Sequence, residues 1–138
     1  MRRAWTVDVG LAWLRILTGV GIALHGSGKV FGGTMDHFAQ GVAQMGFPLP
    51  VLFAWAAALS EFVGGVCLVA GLGTRIAAFF AWCTMSAALF LRHAHDPFSV
   101  KELAYLYWTM LSALVWLGGG RYTIRQLFKG GTKSGGGT

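Results

Sequence analysis

Charge is scarce in this chain. Asp, Glu, Lys and Arg make up 12% of its 138 residues, and only five of them are acidic. With 55% hydrophobic residues and a mean hydropathy of +0.60, so little charge excludes a solvated, disordered chain and sits poorly with an ordinary soluble domain. Cysteine is scarce as well. Cys67 and Cys83 fall on different apolar runs with no CxxC spacing, which excludes a dithiol redox motif and a zinc pattern and leaves two buried thiols acting as small apolar groups. The net charge of +6 could suggest nucleic acid, but the basic residues do not gather beside stacking aromatics. The start, MRRAW before an apolar run, has no clean small-x-small cleavage site after it, so it reads as a retained first helix.

What the chain does have is four apolar stretches, approximately Val9–Val30, Val51–Leu72, Thr74–Leu91 and Leu103–Leu117. A hydrocarbon core about 30 Å thick needs roughly 20 helical residues to cross it. The expected fold is therefore all-α, an integral membrane four-helix bundle. A single domain over residues 1–128 precedes a Gly/Ser/Lys tail over 129–138 that should be flexible. Arg2, Arg3, Arg75, Arg121, Arg125, Lys129 and Lys133 fall on one side of these spans and Lys29, Arg92 and Lys101 on the other, which puts both termini in the cytoplasm. In the first outer loop Met35, Phe38, Val42 and Met45 recur at helical spacing behind Thr34, a candidate cap, and predict a short amphipathic helix on the outer surface. Gly71-Leu72-Gly73 leaves so short a turn that the second and third spans must form an antiparallel hairpin.

Ionisable residues inside these runs are costly in lipid and are candidates for function or mutual pairing. With Arg15 at zero, Lys29 falls near about −40° and His25 near about −80° on a helical wheel, so the three share a face with Thr18, Gly19, Ile22 and Gly26. Glu61 is the one large group on a strip of Ala54, Ala57, Ala58, Gly64, Gly65 and Leu68, a face suited to close helix packing. Its depth allows a structural ion pair with Arg15 across the bundle. Glu102, Tyr105, Thr109, Ser112 and Trp116 form a further polar stripe on the fourth run. His25, Lys29, His93, His95 and Glu102 all map to the outer third, where they could surround one pocket. Arg92 and Lys101 read as interface anchors, His95 as a solvated loop residue and His37 as part of the outer amphipathic segment. His25 and His93 could ligate a metal or haem, but no second matched pair or haem-attachment motif accompanies them, so no metal is expected.

The segments Arg15-Ile16-Leu17-Thr18-Gly19 and Leu24-His25-Gly26-Ser27-Gly28-Lys29-Val30-Phe31-Gly32 resemble the opening of the DoxX family of small four-helix membrane proteins. Gly46-Phe47-Pro48-Leu49-Pro50, Leu59-Ser60-Glu61-Phe62-Val63-Gly64-Gly65, Gly71-Leu72-Gly73-Thr74-Arg75 and Gly118-Gly119-Gly120-Arg121-Tyr122-Thr123 extend the resemblance over nearly the whole chain, together with Glu102 and Leu106-Tyr107. It implies a bacterial or archaeal cytoplasmic (inner) membrane. It also implies relatives linked to thiosulfate:quinone oxidoreduction, to quinone or thiol stress, or to complexes with a sulfurtransferase and superoxide dismutase. By position it points to Arg15, His25, Lys29, Glu61 and Glu102, with His93 or His95 as the histidine ending the third helix. The two-cysteine motif of some redox relatives is missing.

The functional expectation is a quinone- or quinol-interacting subunit of a membrane redox complex, with a buried site drawn from Arg15, His25, Lys29, Glu61, His93 and Glu102. No flavin, haem or iron–sulfur motif is present, so no intrinsic cofactor is expected, bound quinone or lipid would occupy the site, and electrons would come from a partner. The expected partners are the bilayer and other membrane subunits or further copies of the chain, with no nucleic acid. The alternative is a non-catalytic structural or assembly subunit of a respiratory-type complex. A small-solute carrier is a third reading, for which four helices without a repeat would need oligomerisation.

Overall fold

Apolar runs punctuated by glycine and proline fold here into helices alone. The computed structural model describes residues 2–131, and its elements are α1 (Arg2–Phe31), α2 (Met35–Gln44), α3 (Pro50–Ala70), α4 (Thr74–Ala87) with a π-helical turn at Ala88–Arg92, α5 (Phe98–Leu117) and α6 (Ile124–Gly131). Three helices are long and apolar enough to cross a membrane, over Ala4–Phe31, Pro50–Ala70 and Thr74–Arg92. α5 is 20 residues long but is not one of the three, and Ser99, Lys101 and Glu102 occupy its opening turns. Those residues hid its start from a hydropathy reading, which begins the segment at Leu103; Pro97, extended at ψ 156°, sets the true boundary.

α1 packs mainly on α3, α3 on α4, and α4 on α5, with α5 returning to α1. The core cluster takes Ile22 from α1, Leu68 from α3, Ala78, Ala81 and Met85 from α4, and Leu111 and Leu114 from α5. The α1–α3 seam is closed by small residues. A β-carbon added at Gly26 would lie 2.5 Å from the Phe62 backbone nitrogen, and one at Gly65 would lie 2.5 Å from that of Ala23. Backbones this close gain dispersion contacts that no larger residue would allow, the means by which helices associate where lipid removes the hydrophobic drive. Outward, Leu17, Val20, Leu24, Val63, Val66, Phe79 and Leu106 are exposed, an apolar coat suited to acyl chains.

The turns hold the helix ends in register. Gly71, at φ 72°, closes the α3–α4 hairpin in the left-handed region, and a side chain there would overlap both Arg15 and Thr123. Leu49 takes φ 51° just before Pro50 opens α3, the one non-glycine residue with positive φ among those described. Thr34 makes no capping bond to α2; its hydroxyl donates to the Gly28 carbonyl at 3.3 Å. α2 buries Ala39 and Val42 against Ala54, with Met35, Phe38, Met45 and Phe47 around them, so much of its apolar face is spent on α3. Lys129 to Gly131, expected to be tail, belong to α6, and residues 132–138 of that segment lie outside the described residues.

Candidate functional site

At the end of the helices where α2 folds over α3, the packing opens into a cleft of about 880 Å³. Its walls are mostly apolar, with Phe38, Phe47, Phe53, Phe80, Met85 and Tyr107, and its polar groups include His25, Lys29, Ser60, Glu61, Arg92 and His93.

Lys29 anchors it. Its ammonium donates to both Glu61 carboxylate oxygens, at 2.8 and 2.7 Å, and stands 4.4 Å from the centroid of the Phe38 ring of α2. Glu61 has no exposure and the Lys29 side chain 18%. A fully desolvated carboxylate needs such a partner, and the remaining face of the ammonium takes the negative face of an aromatic ring. The pair therefore ties α1 to α3 while α2 covers it.

The Arg15–Glu61 pair expected from depth alone does not form. Arg15 lies near the middle of α1, level with the α3–α4 turn, where its Nη2 donates to the Tyr122 carbonyl at 2.6 Å. Lys29 and Arg15 share a helix face but are fourteen residues apart, about 21 Å along the axis, and the nearer cation takes the carboxylate. Glu102 is not in the cleft either. It is exposed with Tyr105, Thr109 and Trp116, and the inward face of α5 is Ala104, Tyr107, Trp108, Leu111 and Leu114. Two hydroxyls of the α5 stripe are satisfied within the helix, Thr109 donating to the Tyr105 carbonyl and Ser112 to that of Thr109, so they need no partner helix.

Of the two histidines after the third run, His93 lines the cleft while His95 is exposed and does not. His93 Nδ1 lies 2.7 Å from an Asp96 carboxylate oxygen, a bond that fixes the ring's orientation. The π-helical turn supplies this placement: His93 N–H reaches back to the Ala88 carbonyl, one residue farther than in an α-helix, and swings Arg92 and His93 toward α2. His37, on the segment between the first two spans as expected, and Arg92, read as an interface anchor, are exposed and border the cleft, which α2 overlies. Two further features escaped the sequence reading, the Ser60–Thr84 hydroxyl pair at 2.8 Å and the Trp108 indole donating to Ser86 at 3.0 Å. Cys83, expected to be buried, is exposed and borders the cleft, and Cys67 is half-buried; both are free thiols. Among the described residues no three His, Cys, Asp or Glu side chains converge as a metal site would need.

Residues 10–94, from α1 to just past the π-helical turn, match the DoxX family. The chain belongs to the DoxX family. That stretch contains Lys29, Glu61, His25 and His93, so the cleft of this DoxX protein is built largely from the matched region, with α5 contributing Val100, Leu103, Ala104 and Tyr107 from outside it. A relative in Bacillus subtilis (strain 168), CatD, provisionally named an oxidoreductase, is 31% identical over 93 residues, 66% of this chain. The chain spans 65% of that relative's length. No solved structure matches the chain.

Proposed function

We propose that this DoxX protein is the quinone- or quinol-interacting subunit of a membrane redox complex and that its ligand occupies the α2-covered cleft. The observation that carries the reading is the composition of that cleft: about 880 Å³ of mainly aromatic and aliphatic wall with a few convergent polar groups at one end. His25, His93 and the Lys29–Glu61 pair can hydrogen-bond a ring oxygen and exchange the proton that accompanies a change of redox state. Arg15 and Glu102 drop out of this site, and His37, Arg92 and Tyr107 enter it. Electrons pass to or from a redox group of a partner subunit, while this chain binds, orients and handles protons. The oxidoreductase name of the Bacillus relative points the same way. In this reading the protein spans a bacterial or archaeal inner membrane four times, α5 included, with both termini in the cytoplasm.

The test is extraction of the purified protein for bound quinone, followed by quinone-dependent turnover in membranes for His25→Ala and His93→Ala. Retained quinone together with a fall of at least tenfold in either variant supports the reading, since one positioned acid–base group contributes about 10²–10⁴-fold. No quinone in the extract and unchanged turnover in both variants would reject it.

A second reading, a structural or assembly subunit, is favoured by the α1–α3 seam, where Gly26 and Gly65 bring the two backbones together beside the Lys29–Glu61 pair. Under that reading the protein co-purifies with a larger complex at fixed stoichiometry, and neutral replacements at His25 and His93 leave assembly intact.

A further inference from the structure

The end of the molecule away from the cleft gathers cations. Arg15, Arg75, Arg121, Arg125 and Lys129 lie there, and of the five acidic residues only Asp8 does, its carboxylate accepting from the Arg121 backbone N–H at 3.2 Å. Arg15 is 2% exposed. Beyond its bond to Tyr122, its Nε and Nη1 find no partner among the described residues, which leaves positive charge uncompensated behind the wall formed by Gly71 and Thr123. In front of that wall is a shallow groove of about 420 Å³ between the α3–α4 turn and Gly118–Gly120, with Arg75 on its rim donating to the Trp116 carbonyl at 3.3 Å. Gly73, Thr74, Arg75 and Ile76, at the start of α4, line it.

α6 begins at the residue after Thr123, which lines the groove. On its wheel Ile124, Leu127 and Phe128 span about 100°, while Arg125, Gln126 and Lys129 take the other side. Among the described residues nothing covers the apolar side: Leu127 is 73% exposed and Phe128 77%, and Trp116, whose carbonyl Arg75 reaches, is 80% exposed. A short helix with bare apolar residues on one face and arginines beside them matches a layer with apolar chains below and negative charge above. We propose that this end is a binding surface for an anionic phospholipid, whose phosphate lies in the groove by Arg75 with Arg121 and Arg125 flanking it, and whose acyl chains lie against Leu127 and Phe128. The potential of Arg15 adds to the pull from behind the groove. This surface is independent of the quinone reading, sharing no residue with the cleft.

The full chain in detergent micelles, titrated with phosphatidylglycerol and phosphatidylcholine of identical acyl chains and read by native mass spectrometry, tests the proposal. The unaltered protein is expected to retain phosphatidylglycerol preferentially. Arg75→Gln with Arg125→Gln is expected to lower that preference by about fivefold for each arginine. Leu127→Ser with Phe128→Ser is expected to weaken both lipids alike. All four positions are exposed, and Arg125→Gln alone serves if the double variant does not fold. Equal retention of the two lipids, an unchanged preference in the arginine variants, or displacement of phosphatidylglycerol by millimolar inorganic phosphate, which would make the ligand a soluble anion, each overturns it.

Discussion

Two buried cations on α1 have opposite fates. At the cleft end Lys29 faces a carboxylate with no exposure and an aromatic ring, so its charge is matched on two sides, and the space beside it stays open. Near the middle of α1, level with the α3–α4 turn, Arg15 is buried among Gly71, Tyr122 and Thr123 with one carbonyl bond and two orphaned nitrogens, and the space around it is filled. The difference teaches where polar groups in this bundle do structural work. A compensated pair can line a hollow and leave it free for a ligand, whereas an uncompensated cation is held by the packing around it.

Breaking the compensated pair should have the largest effect. Glu61→Gln leaves Lys29 largely buried without its counter-charge and is expected to lower stability by about 3 kcal/mol in detergent, measured by chemical or thermal unfolding. Lys29→Met with Glu61→Leu should recover most of that loss, and a double variant as unstable as the single would show that the pair is not what matters. Next comes the seam beside it. Gly26→Val pushes a side chain into the Phe62 backbone, which cannot yield as a side-chain tip would, and should cost roughly 1–3 kcal/mol in the same assay. Gly21→Ala, which meets only the hydroxyl end of Tyr107, should cost less; if the two cost the same, backbone contact is not what limits the seam.

The other cation sharpens the contrast. Arg15→Met removes one hydrogen bond and an uncompensated charge together, so stability should stay within about 1 kcal/mol of the unaltered protein. A loss as large as that of Glu61→Gln would erase the distinction between the two cations. Smallest of all, Glu102→Gln on the exposed face of α5 should change stability by less than about 0.5 kcal/mol and leave ligand retention untouched. A fall in retention there would return Glu102 to the site.

On α1 and α3 the inward faces were legible in advance. Arg15, Thr18, Gly19, Ile22 and Gly26 are all buried, as are Ala54, Ala58, Glu61, Gly64, Gly65 and Leu68, because small residues and costly charges at helical spacing have one sensible direction in lipid. On α5 the same logic misled. Hydroxyls that bond their own helix carry no penalty facing outward, so the stripe from Glu102 to Trp116 marked the exposed side while Tyr107, Leu111 and Leu114 turned in. The positions of Arg92 and His93 depend on a π-helical turn that no residue in Ala88–Arg92 announces.

The amino-acid order by itself determined that this is a helical membrane protein of the DoxX family with charged groups on the packing faces of its first two long helices. Apolar length, small-residue spacing and the cost of charge in lipid are properties of a single helix and its solvent. Which cation meets Glu61, which face of α5 points inward and where the interior stays hollow were decided only in the tertiary structure. Those outcomes depend on distances between helices and on how α2 folds back over α3, and a one-dimensional pattern of faces and depths contains neither.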